Sequence, residues 1–77
     1  MTVNILTPDK QLYEGEATYL GLPGSDGSLG ILSHHAPLVT TLRKGEITLK
    51  TDGEEMTFEV NGGTVEVLNN HVTILAQ

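Results

Sequence analysis

Chain breakers recur in this sequence about every eight residues, a spacing that leaves room for short strands and none for a long helix. They are Pro8-Asp9-Lys10, Gly15, Pro23-Gly24-Ser25-Asp26-Gly27, Ser33 to Pro37, Arg43-Lys44-Gly45, Thr51-Asp52-Gly53, Asn61-Gly62-Gly63 and Asn69-Asn70. Between breakers the residues alternate. Ile47 and Leu49 oppose Glu46, Thr48 and Lys50, and Met56, Phe58 and Val60 oppose Thr57 and Glu59, the period-two pattern of half-buried strands. Asp52-Gly53 between these segments predicts a hairpin closed by a type I′ turn, whose central residues both need positive φ. Val65 and Val67 against Thr64 and Glu66, then Val72 and Ile74 against Thr73, predict a second hairpin across Asn69-Asn70. Val3, Ile5, Leu20 and Leu22 complete an inward set of aliphatic side chains. The fold class that follows is all-β: a flattened β-sandwich or barrel of about eight to ten short, mainly antiparallel strands. A chain of 77 residues is too short to divide into two cores, so residues 1–77 read as one domain.

At this length only about 60% of the unfolded surface is buried on folding, and a partner surface adds to stability. Cysteine is absent, which excludes a disulfide framework, a redox pair and a thiolate zinc site. The net charge is −6 and the only cations are Lys10, Arg43, Lys44 and Lys50, a balance that argues against nucleic acid as a partner. The three aromatic residues offer no spare stacking platform for bases or sugars. No apolar run approaches the roughly 20 residues that span a bilayer, so direct membrane insertion is not expected. The N-terminus lacks the basic-then-apolar order of a signal peptide, and no transit peptide precedes Val3, which favours a bacterial or organelle-encoded source.

Each constellation that could carry chemistry has a plainer reading. Gly24, Gly27 and Gly30 recur every third residue, but Ile31-Leu32 follow where a phosphate loop needs Lys-Ser/Thr, and Asp26 repels an anion. Tight turns that need positive φ explain these glycines better. Ser33, His34 and His35, with Ser25, Asp26 and Ser28 upstream, invite a nucleophile, base and acid. Adjacent histidines on an extended chain point to opposite sides, however, and His71 is far along the sequence. His35, before Ala36-Pro37, reads instead as fixing a loop backbone through a ring nitrogen, or as a polar surface for a partner. Glu54-Glu55 resemble paired carboxylates, yet strand neighbours face opposite ways and read as edge solubility. Lys10 in its turn is what a lipoyl- or biotinyl-type carrier domain would modify, although such domains set the lysine near mid-chain. The residues thus point to no catalytic site, no metal site and no cofactor.

The stretch Leu22-Pro23-Gly24-Ser25-Asp26-Gly27-Ser28-Leu29-Gly30-Ile31-Leu32, followed by His35-Ala36-Pro37-Leu38, resembles the signature of the N-terminal β-sandwich domain of the F-type ATP synthase epsilon subunit. Val3 to Pro8, Tyr13-Glu14-Gly15-Glu16-Ala17, and Val60-Asn61-Gly62-Gly63 through Val65-Glu66-Val67-Leu68 to Val72-Thr73-Ile74-Leu75-Ala76 are similar to it as well. The resemblance covers the whole chain.

The resemblance implies a non-catalytic part of the rotor in a proton- or sodium-translocating ATP synthase. In that family the sandwich docks on the γ shaft and sits against the polar loops of the membrane c-ring, which would place the chain peripherally at the cytoplasmic face of a bacterial inner membrane or the equivalent organelle face. Carried over position by position, Asp26, Ser28 and His35 become the ring-facing candidates. Thr7 and Thr40, with Leu38 and Leu42 as apolar neighbours, become the γ-facing ones. Ser28 stands where a carboxylate is often found, and Ser33-His34 replaces a common Pro-Gly. Family members commonly continue into a two-helix hairpin that restrains ATP hydrolysis. This sequence stops at Gln77 without such a domain, so the expectation is a chain that assembles and couples the rotor but does not inhibit through a helical arm.

Overall fold

The computed structural model describes residues 1–77, and they form nine strands and no helix. The strands are β1 (Thr2–Leu6), β2 (Gln11–Glu16), β3 (Tyr19–Gly24), β4 (Gly27–Leu32), β5 (Leu38–Leu42), β6 (Gly45–Lys50), β7 (Glu55–Val60), β8 (Gly63–Leu68) and β9 (His71–Ala76). They lie in the order β2-β1-β9-β8-β5-β3-β6-β7, with β4 along the opposite side of β3 from β5 and β6. The all-β expectation holds. Every pairing is antiparallel except that of β1 with β9.

Alternation decides how this one long sheet curls. Val3 and Ile5 of β1 align with Val72 and Ile74 of β9, which align in turn with Val67 and Val65 of β8. All six are buried, as are Leu20, Ile47 and Leu49 of the other half. Alternate residues of most strands are therefore apolar and inward, and the sheet can bury that face only by folding over on itself. The result is a core cluster of 16 residues between two facing halves, within extents of 27 × 23 × 18 Å. The fold line is visible in the chain. β5 and β6 follow one another along the same side of β3, with Arg43-Lys44 between them, and their partners β8 and β7 change over at Asn61-Gly62. Gly63 at that corner has φ 144°, and a Cβ there would collide with the Leu75 carbonyl oxygen.

Both predicted hairpins form, but their turns differ from expectation. Asn69 and Asn70 carry φ of 52° and 63° between the paired Leu68 and His71. Two left-handed residues in a two-residue loop are the type I′ turn, and asparagine is among the few residues with a Cβ that tolerate that conformation. The expected type I′ turn at Asp52-Gly53 is not present, since neither residue has positive φ. The last strand pair there is Lys50 with Glu55, which leaves a longer connection than a two-residue turn. The Thr51 N–H reaches the Glu54 carbonyl at 2.9 Å.

Substitutions at these positions separate turn chemistry from turn composition. Gly53→Ala meets open space and is expected to change the unfolding free energy by less than about 0.5 kcal/mol. Asn69→Val is expected to cost about 1–2 kcal/mol, and Gly63→Ala more than about 2 kcal/mol. Urea denaturation checks all three. A Gly53→Ala loss equal to that of Asn69→Val would return the left-handed turn to Asp52-Gly53.

Candidate functional site

The β3-β4 hairpin carries the most distinctive sequence, and its glycines do three different jobs. Gly27, with φ 136°, supplies the positive φ that the tip requires. Gly24 has ordinary φ, and a Cβ on it would strike the Gly27 carbonyl oxygen. Gly30 pairs with Gly21, and the Tyr19 ring lies over both, within 3.1–3.4 Å of where their Cβ atoms would be. Only Gly27 therefore fits the positive-φ expectation.

The hairpin tip is held rigidly against β5. The Ser25 N–H donates to the Thr41 carbonyl at 3.0 Å, the Arg43 N–H donates to the Pro23 carbonyl at 2.9 Å, and the Ser25 and Thr41 hydroxyls lie 2.7 Å apart. Beside this pinned tip is a hollow of about 170 Å³ lined by Asp26, Ser28, Leu29, Leu38 and Thr40 with Gly24 and Gly27. Four residues that the sequence divides between two partner surfaces thus meet at one place. Asp26 and Ser28 are exposed, while Leu38 and Thr40 are half-buried.

The remaining candidates lie elsewhere. His35 hangs from the far end of β4, its N–H on the Leu32 carbonyl at 3.2 Å and its Nδ1 2.7 Å from the Ala36 oxygen. It fixes loop backbone, as one of its two readings expects, and is not at the tip with Asp26. Thr7 is in the β1-β2 turn, where its hydroxyl donates to the Lys10 carbonyl at 3.0 Å and accepts the Lys10 N–H at 3.1 Å. That turn follows the Leu6 end of β1, which aligns through β9 and β8 with the Leu42 end of β5 and away from Leu38. Leu42 itself is 5% exposed and belongs to the core, so it offers no side chain to a partner. The reason is parity: Leu38, Thr40 and Leu42 share the inward face of β5, and the burial alternates accordingly.

The side chains considered for chemistry do not converge. His34, with φ 65°, donates its backbone N–H to Asn70 Oδ1 at 2.7 Å. His71 Nε2 lies 3.4 Å from Asn4 Nδ2 on the outer face of β9. Glu55 pairs with Lys50 at 3.8 Å, Lys10 is exposed, and no group of three or more His, Asp or Glu is placed to hold a metal ion. Sequence reasoning missed the outward residues of the same strands. Val39 is 75% exposed, Leu75 54% and Leu68 48%. The signal was available in the alternation of Leu38-Val39-Thr40-Thr41-Leu42, read for its second face.

Comparison with known proteins gives one consistent answer. A family model described as the ATP synthase, Delta/Epsilon chain, beta-sandwich domain matches residues 1–77. The ATP synthase epsilon chain of Thermosynechococcus vestitus is 45% identical over 75 residues, covering 97% of this chain and 54% of that protein. The Bacillus subtilis epsilon chain is also 45% identical over 75 residues, covering 97% and 57%. The chain thus spans about half the length of these two relatives. The Caulobacter vibrioides epsilon chain is 36% identical over 74 residues, covering 96% of this chain and 86% of that protein. Among solved structures, a chain in the central stalk and c-ring of the Tetrahymena thermophila mitochondrial ATP synthase superposes with a TM-score of 0.87 at 20% identity, covering 100% of this chain and 63% of that one. A chain of the Euglena gracilis mitochondrial ATP synthase gives 0.90 at 18% identity, covering 96% and 48%. At those identities the superpositions speak for the fold.

The Ser25 and Thr41 hydroxyl pair adds to the two backbone bonds that hold the tip. Thr41→Val is expected to lower the unfolding free energy by about 1 kcal/mol and to speed amide exchange at Ser25 more than in the β8-β9 ladder. Unchanged exchange at Ser25 would mean that the backbone bonds alone hold the tip.

Proposed function

This chain belongs to the ATP synthase delta/epsilon-chain β-sandwich family, and from that premise we propose that it is a non-catalytic rotor subunit that ties the γ shaft to the c-ring. The family match over residues 1–77 and the epsilon-chain relatives support the reading. The observation that carries it is mechanical: an acidic hairpin tip projects from a sheet to which it is bonded at Ser25 and Pro23. A part that passes torque must not slip, and a tip fixed on a rigid sheet meets that need better than a mobile loop.

In this role Asp26 and Ser28 face the polar loops of the ring. Asp26 attracts a basic or amide group there, and Ser28 offers a hydroxyl where a carboxylate would offer charge. No helix of the chain is long and apolar enough to cross a membrane, and the proposed place is peripheral, at the cytoplasmic face of a bacterial inner membrane or its organelle equivalent. The transported ion, proton or sodium, acts in the membrane sector and not on these residues. The strands supply docking surfaces, and ATP chemistry belongs to other subunits.

Co-purification with the cognate γ subunit and detergent-solubilised c-ring tests the proposal. The wild-type chain is expected to form a one-to-one complex with γ that retains the ring. The double variant Asp26→Lys, Ser28→Lys is expected to weaken ring retention about tenfold through like-charge contact, with the fold and γ binding unchanged. Equal ring retention by the variant would remove this tip from the ring interface, and failure of the wild type to bind γ would overturn the rotor reading.

A further inference from the structure

Asn61-Gly62 forms the corner between β7 and β8 and is the only Asn-Gly step in the chain. The pair carries a chemistry that neither residue has alone. The backbone nitrogen of the second residue can close on the side-chain amide carbon of the first, and the five-membered ring that results is an intramolecular product favoured by proximity. With glycine in second place no Cβ stands beside the attacking nitrogen.

The fold leaves this reaction open. Asn61 is exposed and no partner in the chain holds its amide, whereas Asn70 Oδ1 accepts the His34 N–H at 2.7 Å and Asn4 Nδ2 lies 3.4 Å from His71 Nε2. Gly62 lies outside the strands and is bonded through its carbonyl alone, which accepts the Gln77 N–H at 3.0 Å, so its own N–H is uncommitted. Asp26-Gly27 and Asp52-Gly53 share the following glycine, but an ionised carboxylate is a poor electrophile. Asn4, Asn69 and Asn70 precede Ile5, Asn70 and His71, whose side chains crowd the nitrogen.

We propose that Asn61-Gly62 is a site of spontaneous deamidation in the folded chain and that its isoaspartyl product opens this corner. The deprotonated Gly62 nitrogen bonds to Asn61 Cγ, the Cγ–Nδ2 bond breaks, and ammonia leaves with protons from water. Water then opens the cyclic imide. Cleavage at the Cγ–N bond leaves aspartate at position 61, and cleavage at the original peptide carbon routes the backbone through Cγ as isoaspartate. Either way an amide becomes a carboxylate and nothing is oxidised or reduced. Isoaspartate adds one backbone atom where there is no slack. The Asn61 N–H donates to the Gln77 carbonyl at 3.1 Å while the Gly62 carbonyl accepts from Gln77, a bracket closed on one residue, and Gly63 behind it packs too tightly on the Leu75 carbonyl to admit a Cβ. A longer chain inside the bracket cannot keep both bonds, and the fold line loosens beside Leu42, which pairs with Gly63.

Ageing the full chain in mildly alkaline buffer, folded and in urea, tests the proposal, with peptides mapped by mass and by isoaspartyl methyltransferase labelling. In the folded chain, conversion at Asn61 is expected to run at least about tenfold faster than at Asn4, Asn69 or Asn70. Asn61→Gln, whose longer side chain would have to close a six-membered ring, is expected to stay unmodified. The purified isoaspartyl form is expected to melt at least about 5 °C below the fresh chain, while Asn61→Asp, which has the charge without the extra backbone atom, melts within about 2 °C of it. Conversion in urea but not in the folded chain would mean that the corner blocks the attack, and equal conversion at the other asparagines would mean that nothing singles out Asn61; either result overturns the site. An isoaspartyl form that melts with the fresh chain would overturn the effect on the fold.

Discussion

Val3 and Ile5 lie beside Val72 and Ile74 in the single parallel ladder of the molecule, so the first strand is held by the last. Neither pairing is local: almost the whole chain is the crossover between them. Because side chains alternate, a slip of one residue in this ladder would turn Val3 and Ile5 out to solvent and bring Asn4 inward. The other placements follow from that register. β8 aligns with β9, β5 with β8, and the tip of the β3-β4 hairpin is bonded to β5. A core of small aliphatics makes the arrangement sensitive, since losing most of one buried isoleucine costs about 2–5 kcal/mol out of a total that is modest for a domain this size.

The same alternation divides labour between the two faces of each strand. On β5 the inward residues join the core or line the hollow by Asp26, while Val39 and Thr41 remain outside. The proposed rotor role needs both conditions at once: an interior that fixes the geometry and exteriors that present different chemistry in different directions. The tip offers a carboxylate and a hydroxyl. The outer face of β5, β8, β9 and β1 offers aliphatic side chains among threonines with carboxylates beside them. Polar tip and apolar face are chemically unlike surfaces of one domain.

Much of the fold was legible because its signal is local. Breaker spacing and the alternation in Glu46–Lys50, Met56–Val60, Thr64–Val67 and Val72–Ile74 give the strands and both hairpins. What local signal cannot carry is pairing at long range, and the β1-β9 ladder leaves no trace in either segment alone. Turn chemistry was half legible. Asp52-Gly53 is the stronger type I′ dipeptide, but conformation follows loop length, and only Asn69-Asn70 lies in a two-residue loop. The glycines of the hairpin read alike in sequence, although Gly24 answers a close carbonyl and Gly30 an overlying ring. The β3-β4 hairpin tip that carries Asp26 and Ser28 was legible as a turn because it is contiguous in sequence. The family signature grouped Leu42 with a partner surface because position in a motif does not report parity in a strand.

The rotor reading is tested most directly by tying the chain to the shaft. It has no native cysteine, so a cysteine placed where the chain meets the γ subunit is unique and can be joined by a disulfide to one on γ in the assembled synthase. Two parts that turn together can be bonded without penalty, and ATP hydrolysis and ion-driven ATP synthesis are expected to continue at the rates of the reduced enzyme. Loss of both activities on oxidation, restored by reduction, would mean that chain and shaft move past one another and would contradict the reading.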